Sequence, residues 1–262
     1  MKTKKRQLGM TLTEQVVVIS AVALLMFIGL PTARTLFDQM HTPAGVQATI
    51  SSAMATARAI AAREQRYAGI RFQHAYDMSN PLKSPLTMPQ YIIFIVYEEP
   101  RNMGNDATCF RAVKGMEPIE LPKHIGVMDM FVGGNNAISD NRLDTDQKLI
   151  DATTFSIIFS PAGKVIIRDT QTRNKDGYPK THASDSDDDI FNKEELVQNG
   201  TAMFLQDDYQ AYKLVQEPSR RSFIIYDRNK LKSVSENRRW TDYLKDIEPV
   251  YINPHTGTII YR

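Results

Sequence analysis

Hydrophobic and polar positions divide the chain into a short apolar block, a helical stripe and a series of β-type runs. From Val16 to Leu30 no charged residue occurs. Taken from Met10 to Leu30 and wound as a helix at about 1.5 Å per residue, this stretch rises roughly 30 Å, the thickness of a bilayer's hydrocarbon core. The pattern therefore predicts a membrane-spanning helix. Beyond Pro31 it continues as helix, because a proline inside a helix bends it without having to end it. Thr42, Pro43 and Gly45 interrupt it again. From Val46 the apolar positions Val46, Ile50, Ala53, Met54, Ala57, Ile60 and Ala61 recur at intervals of three and four, which predicts an amphipathic helix laid on a sheet and ending near Gln65 or Arg66.

Period-two and aromatic-rich runs follow. Ala68 to Phe72, Gln90 to Tyr97 and Thr108 to Val113 read as strands, with prolines 81, 85 and 89 marking a loop between the first two. Residues 133–151 are rich in Gly, Asn and Asp and read as an exposed loop. Phe155 to Phe159 and Lys164 to Arg168 flank Ser160-Pro161-Ala162-Gly163 and form a hairpin. Ser222 to Asp227 is a strand, and Glu236 to Ile247 a short helix presenting Trp240, Tyr243, Leu244 and Ile247. Val250 to Asn253 and Thr258 to Tyr261 make a closing hairpin around Pro254 to Gly257.

The head of the apolar block carries the first chemical signal. Lys2, Lys4, Lys5 and Arg6 precede it, and such an excess holds that end in the cytoplasm and the remainder on the far side. Glu14 is the one carboxylate at its start, and an ionisable group there is a functional-site hypothesis that needs a partner. An ordinary signal anchor with a chance glutamate is the alternative. Gly9 followed by Met10-Thr11-Leu12-Thr13-Glu14 and an apolar helix resembles the N-terminus of type IV prepilins and pseudopilins, with Pro31 where that family often carries a helix-bending proline. The resemblance implies cleavage by a prepilin peptidase between Gly9 and Met10, methylation of the new N-terminus at Met10, and pairing of Glu14 with the N-terminal amine of a neighbouring subunit. Met10 departs from the phenylalanine most common at that first position. The alanine-rich ATARAIAAREQRYAGIRF segment, FSPAGKV and VYINPHTGTIIY are similar to the corresponding parts of H-type minor pseudopilins.

Charge and composition narrow the alternatives. The formal net charge is +2, but without the four basic residues of the leader 28 basic face 30 acidic residues, so bulk charge gives no support for nucleic-acid binding. Cys109 is the only cysteine, which excludes an internal disulfide; it is either a buried thiol or a bridge to another chain. Residues 169–200, with Asp185, Asp187, Asp188 and Asp189, read as an inserted acidic loop. Ile190 and Leu196 stand where an EF-hand needs Gly and Glu, leaving a solvated loop or an irregular Ca²⁺ site. His41, His74, His124, His182 and His255 have no metal-ligand spacing, and no nucleophile, phosphate-loop or dinucleotide motif occurs. Neither an enzymatic activity nor a cofactor is expected. Arg220, Arg221 and Arg262 are candidates for a local phosphate-binding patch, against a reading as solvated or acid-paired arginines.

These expectations combine into an α+β, type IV pilin-like fold: a long N-terminal helix, half membrane-spanning and half amphipathic, packed on a small antiparallel sheet. The divisions are a leader at 1–9, a transmembrane or filament-core helix at 10–31, its amphipathic continuation at 32–66 and a periplasmic β-rich domain at 67–262. The resemblance implies a minor pseudopilin of a type II secretion pseudopilus, held in the bacterial inner membrane as a single-pass protein with its N-terminus in the cytoplasm. Its implied partners are other pseudopilins or pilins, the prepilin peptidase and the inner-membrane assembly platform. The alternative is a minor type IV pilin acting in pilus assembly or in DNA binding and uptake.

Overall fold

The computed structural model describes residues 12–40, 42–98, 110–130, 139–170, 172, 190–192, 194–200, 203–205 and 217–260. Gly9, Met10, Cys109, the acidic run 185–189 and Arg262 lie outside them. The chain forms two compact units, Met1–Gly45 and Val46–Arg262.

The first unit contains helix α1, Leu12–Met40, which is 29 residues long and includes Pro31 in its span. Its described side chains, 12–26, are all exposed. Among the described residues no helix is long and apolar enough to cross a membrane, and this corrects the expected membrane-spanning half. The physical reason is visible in the segment itself. The fifteen residues from Val16 to Leu30 rise only about 22 Å, short of the roughly 30 Å of a hydrocarbon core. The same helix carries Thr13, Glu14 and Gln15 before them and Thr32, Arg34 and Asp38 after them.

The second unit is α+β. Helix α2, Pro43–Glu64, starts where Thr42 accepts a hydrogen bond from the Gly45 backbone N–H at 3.1 Å, with proline in the first helical position. Its buried residues are Val46, Ile50, Ala53, Met54, Ala57, Ile60 and Ala61, the stripe read from the sequence. One sheet has the order β3-β2-β1-β6-β7, with β4 also pairing to β2: β1 Ala68–His74, β2 Gln90–Tyr97, β3 Phe110–Ala112, β4 Ile119–Glu120, β6 Phe155–Phe159 and β7 Val165–Ile166. The other has the order β14-β13-β12-β5: β5 Ile125–Asp129, β12 Ser222–Asp227, β13 Val250–Ile252 and β14 Ile259–Ile260. Both are antiparallel.

One core joins α2 to one face of each sheet, through Ile70, Phe72, Ile92 and Phe94 of the first and Val127, Phe223 and Ile225 of the second. The opposite faces are covered too. Helix α4, Asp146–Thr153, and the segment holding α6, Arg228–Ser233, and α7, Arg239–Asp242, pack Leu149, Leu231 and Leu244 on Met128, Ile224 and Tyr226. Phe191 of β9, Phe191–Asn192, and Phe204 of β10, Phe204–Leu205, cover Tyr91, Ile93, Ile95 and Ile158. Short elements complete the unit: α3, Ser84–Thr87; α5, Glu194–Gln198; and β8, Asp169–Thr170, paired with β11, Glu217–Pro218.

Burial on both faces explains QYIIFIVY, an almost unbroken apolar run where a one-sided antiparallel sheet would alternate. It also changes the reading of 169–200, since Phe191 and Val197 from that stretch belong to the interior. The stretch 133–151, expected as loop, ends inside α4, because Thr145 caps that helix by accepting from Lys148 N–H at 3.3 Å and Leu149 and Ala152 are buried. The expected helix 236–247 is broken into short turns at Tyr243, whose ψ is −62° at a φ of −142°.

Candidate functional site

Three places hold the residues with chemical potential. The first is the start of α1. Glu14 lies in its first turn, where the helix dipole favours a carboxylate. With Thr13, Val17 and Val18 it lies on an open stretch of helix surface. Around it the helix displays an apolar surface: Leu12 is 79% exposed, Ile19 68% and Leu25 70%. The cleavage and methylation positions Gly9 and Met10 lie outside the described residues.

The second place is the arginine group near the C-terminus, of which Arg220 and Arg221 are described and Arg262 lies outside the described residues. Arg220 is only 9% exposed and forms an ion pair with Asp129 at the end of β5, itself 2% exposed. Its backbone N–H donates to Ser156 O at 2.8 Å, joining the two sheets. Arg221 is exposed. Burial holds the carboxyl of Asp151 above the usual carboxylate range, against the opposing pull of Arg220 and Arg142.

The third is a buried polar centre that the sequence reading missed. Arg228, at the start of α6 and 3% exposed, donates through Nη1 to Lys123 O at 3.0 Å and through Nη2 to Pro85 O at 2.9 Å and Met88 O at 2.7 Å. Its charge is met by carbonyl dipoles alone in these contacts, and burial lowers its pKa. His74 shares Met88 O: Nδ1 donates to that carbonyl at 3.1 Å, which leaves Nε2 as a bare acceptor, buried and without a hydrogen bond. Burial first and the Arg228 charge second push His74 down to about 3, so the ring is neutral at physiological pH.

Beside it, Gln90 is fully buried and donates through Nε2 to Val127 O at 2.8 Å and Thr153 O at 2.7 Å while accepting from Val127 N–H at 2.7 Å. One amide thus ties the two sheets and the end of α4. Nothing in the sequence marks Gln90 or His74 as different from polar residues at strand ends; Gln90 is tied to Val127 and Thr153, and His74 to Met88 beside Arg228, all distant in sequence or in another element.

These groups are structural in their chemistry. His74 has no proton donor at Nε2 and is enclosed, and among the described residues no three His, Cys, Asp or Glu side chains gather as a metal site. No family model matches the chain, and no curated protein and no solved structure matches it. The pilin-like part of the expected fold is corrected on this ground: the class is α+β with an N-terminal helix and antiparallel sheets, and no pilin fold is identified. The pseudopilin resemblance of the first residues likewise has no family or relative behind it.

Proposed function

We propose that the chain is a non-catalytic structural subunit of the type II secretion pseudopilus kind, incorporated through its N-terminal helix after removal of a short basic leader. The observation that carries this reading is the conjunction at the chain's start: a Gly9-Met10 junction after a basic head, Glu14 in the first turn of α1, and an apolar surface from Leu12 to Met26 exposed along the same helix. Exposed apolar surface of this extent marks an interaction site. In the assembled state the helices of neighbouring subunits cover it, and Glu14 meets the amine freed at Met10. Each of those charges is costly to desolvate alone and is offset by the other.

The test is co-expression of the full chain with a prepilin peptidase and other pseudopilins, followed by mass spectrometry of the N-terminus and recovery of assembled complexes. A methylated N-terminus at Met10, lost in Gly9→Ala, is expected. Glu14→Ala is expected to be processed normally and recovered in complexes at no more than a tenth of the native level. Cleavage elsewhere, or full recovery of Glu14→Ala, overturns the reading. Burial of Arg220 removes one member of the arginine patch on which the DNA-uptake alternative depended.

A further inference from the structure

Arg168, between β7 and β8, is held in a corner of two tyrosine rings. Its guanidinium carbon lies 4.6 Å from the centroid of Tyr67 and 4.5 Å from that of Tyr97. The rings meet edge to face at 6.2 Å, and Tyr97 N–H donates to Tyr67 O at 2.8 Å, so the corner is built into the β1–β2 ladder. The backbone of Arg168 is fixed as well, since its carbonyl accepts from Ser219 N–H at 2.8 Å.

What the Nε of Arg168 lacks, among the described residues, is an acceptor. That nitrogen is enclosed and makes no hydrogen bond. The side chain is half-buried. By contrast the neighbouring cations are answered: Arg111 pairs with Glu98 at 2.6 Å, and Arg66 with Glu64 at 3.0 Å and with Glu98 at 3.8 Å. Glu98 is thereby shared by two arginines.

A guanidinium whose faces lie against aromatic rings keeps its edge for in-plane hydrogen bonds, and its planar fork matches a carboxylate with two parallel N–H donors. Immobilisation by the rings removes in advance much of the side-chain entropy that such a bond costs. We propose that the Tyr67–Tyr97–Arg168 corner is a docking point for an acidic side chain of a partner protein, with the Nη groups of Arg168 as its donors. Ile167, large and exposed beside it, supplies an apolar rim for the same contact. The assignment is independent of the role proposed for α1.

The experiment is fluorescence anisotropy of a labelled, acetylated peptide of alternating Asp, Glu and Gly with the full chain, at several salt concentrations. Inorganic phosphate and a lysine-containing peptide of equal length serve as comparison probes. Saturable binding weakened by salt, reduced at least ten-fold in Arg168→Gln and several-fold in Arg168→Lys and Tyr97→Leu, is expected. Thermal melts identify any variant that has lost its fold, and Arg168→Lys, which keeps the charge, then carries the comparison. No acidic-peptide binding, equal binding of the lysine peptide, equal affinity in Arg168→Lys, or displacement of the peptide by phosphate at equal concentration overturns the proposal.

Discussion

Tyr226 lies over Gly126: the two are directly paired across β12 and β5, and the tyrosine ring occupies the space a side chain at 126 would fill. A Cβ there would collide with the ring and its hydroxyl. Tyr226 is itself 1% exposed, its hydroxyl has no hydrogen bond, and burial pushes its pKa up to about 12. A ring so enclosed cannot retreat cheaply, because interiors are packed near crystal density. Gly126→Ala is expected to cost about 2–3 kcal/mol through overpacking, read as a lower urea midpoint with an unchanged m-value. Gly126→Ala combined with Tyr226→Phe, which removes only the hydroxyl, is expected to recover part of it; no recovery would show that the clash lies with the ring carbons alone.

Gln90 gives a second test. Gln90→Leu keeps the volume and leaves Val127 N–H, Val127 O and Thr153 O without the bonds the amide made. Unsatisfied buried groups cost about 1–3 kcal/mol each, so a loss of about 3 kcal/mol or more is expected. Because the bonds cross from β2 to β5 and α4, amide exchange should quicken in both sheets together; exchange quickening in β2 alone would show that the sheets open independently.

Much of this architecture is legible in the sequence, and the parts that are not share a cause. The α2 stripe and the hairpin turns are set by residues within a few positions of one another, so local pattern suffices. Phe191, Phe204, Gln90 and His74 are placed by contacts between distant segments, which no local period encodes. The membrane expectation for 10–31 failed for another reason: the apolar block is bounded inside one helix by Gln15 and Thr32, and helix continuity hides how short it is. Of the site residues read from sequence, Glu14 is exposed at the start of α1, while Arg220 was chosen for its charge without the means to see Asp129 beneath it.

That pair separates two neighbouring arginines. Arg220→Ala removes the Arg220 cation from the buried Asp129 carboxylate and is expected to cost about 3 kcal/mol. Arg221→Ala, on an exposed residue, is expected to stay within about 0.5 kcal/mol of the native protein. Thermal or urea unfolding of both distinguishes them, and equal small effects would mean that Arg220 is solvated rather than paired.

Burial of His74 makes the fold less stable in acid, and the sign follows from its two states. Folded, it titrates at about 3; unfolded, near the ordinary value of 6.5. Between those values the unfolded chain binds a proton that the folded chain refuses, so stability is fully present above pH 6.5 and declines as pH falls toward 3, at most about 1.4 kcal/mol per unit from this group. His74→Phe should flatten that part of the stability curve while costing its own hydrogen bond to Met88 O at all pH values. Arg228→Met acts differently. It removes the cation that helps lower His74, so the ring should titrate at higher pH by NMR, even as three backbone carbonyls lose a donor and the protein weakens. In the double variant the two effects should not add, because both residues meet at one carbonyl. Strict additivity would mean that His74 and Arg228 stabilise the loop before β2 separately, and the shared acceptor Met88 O would then carry no coupling.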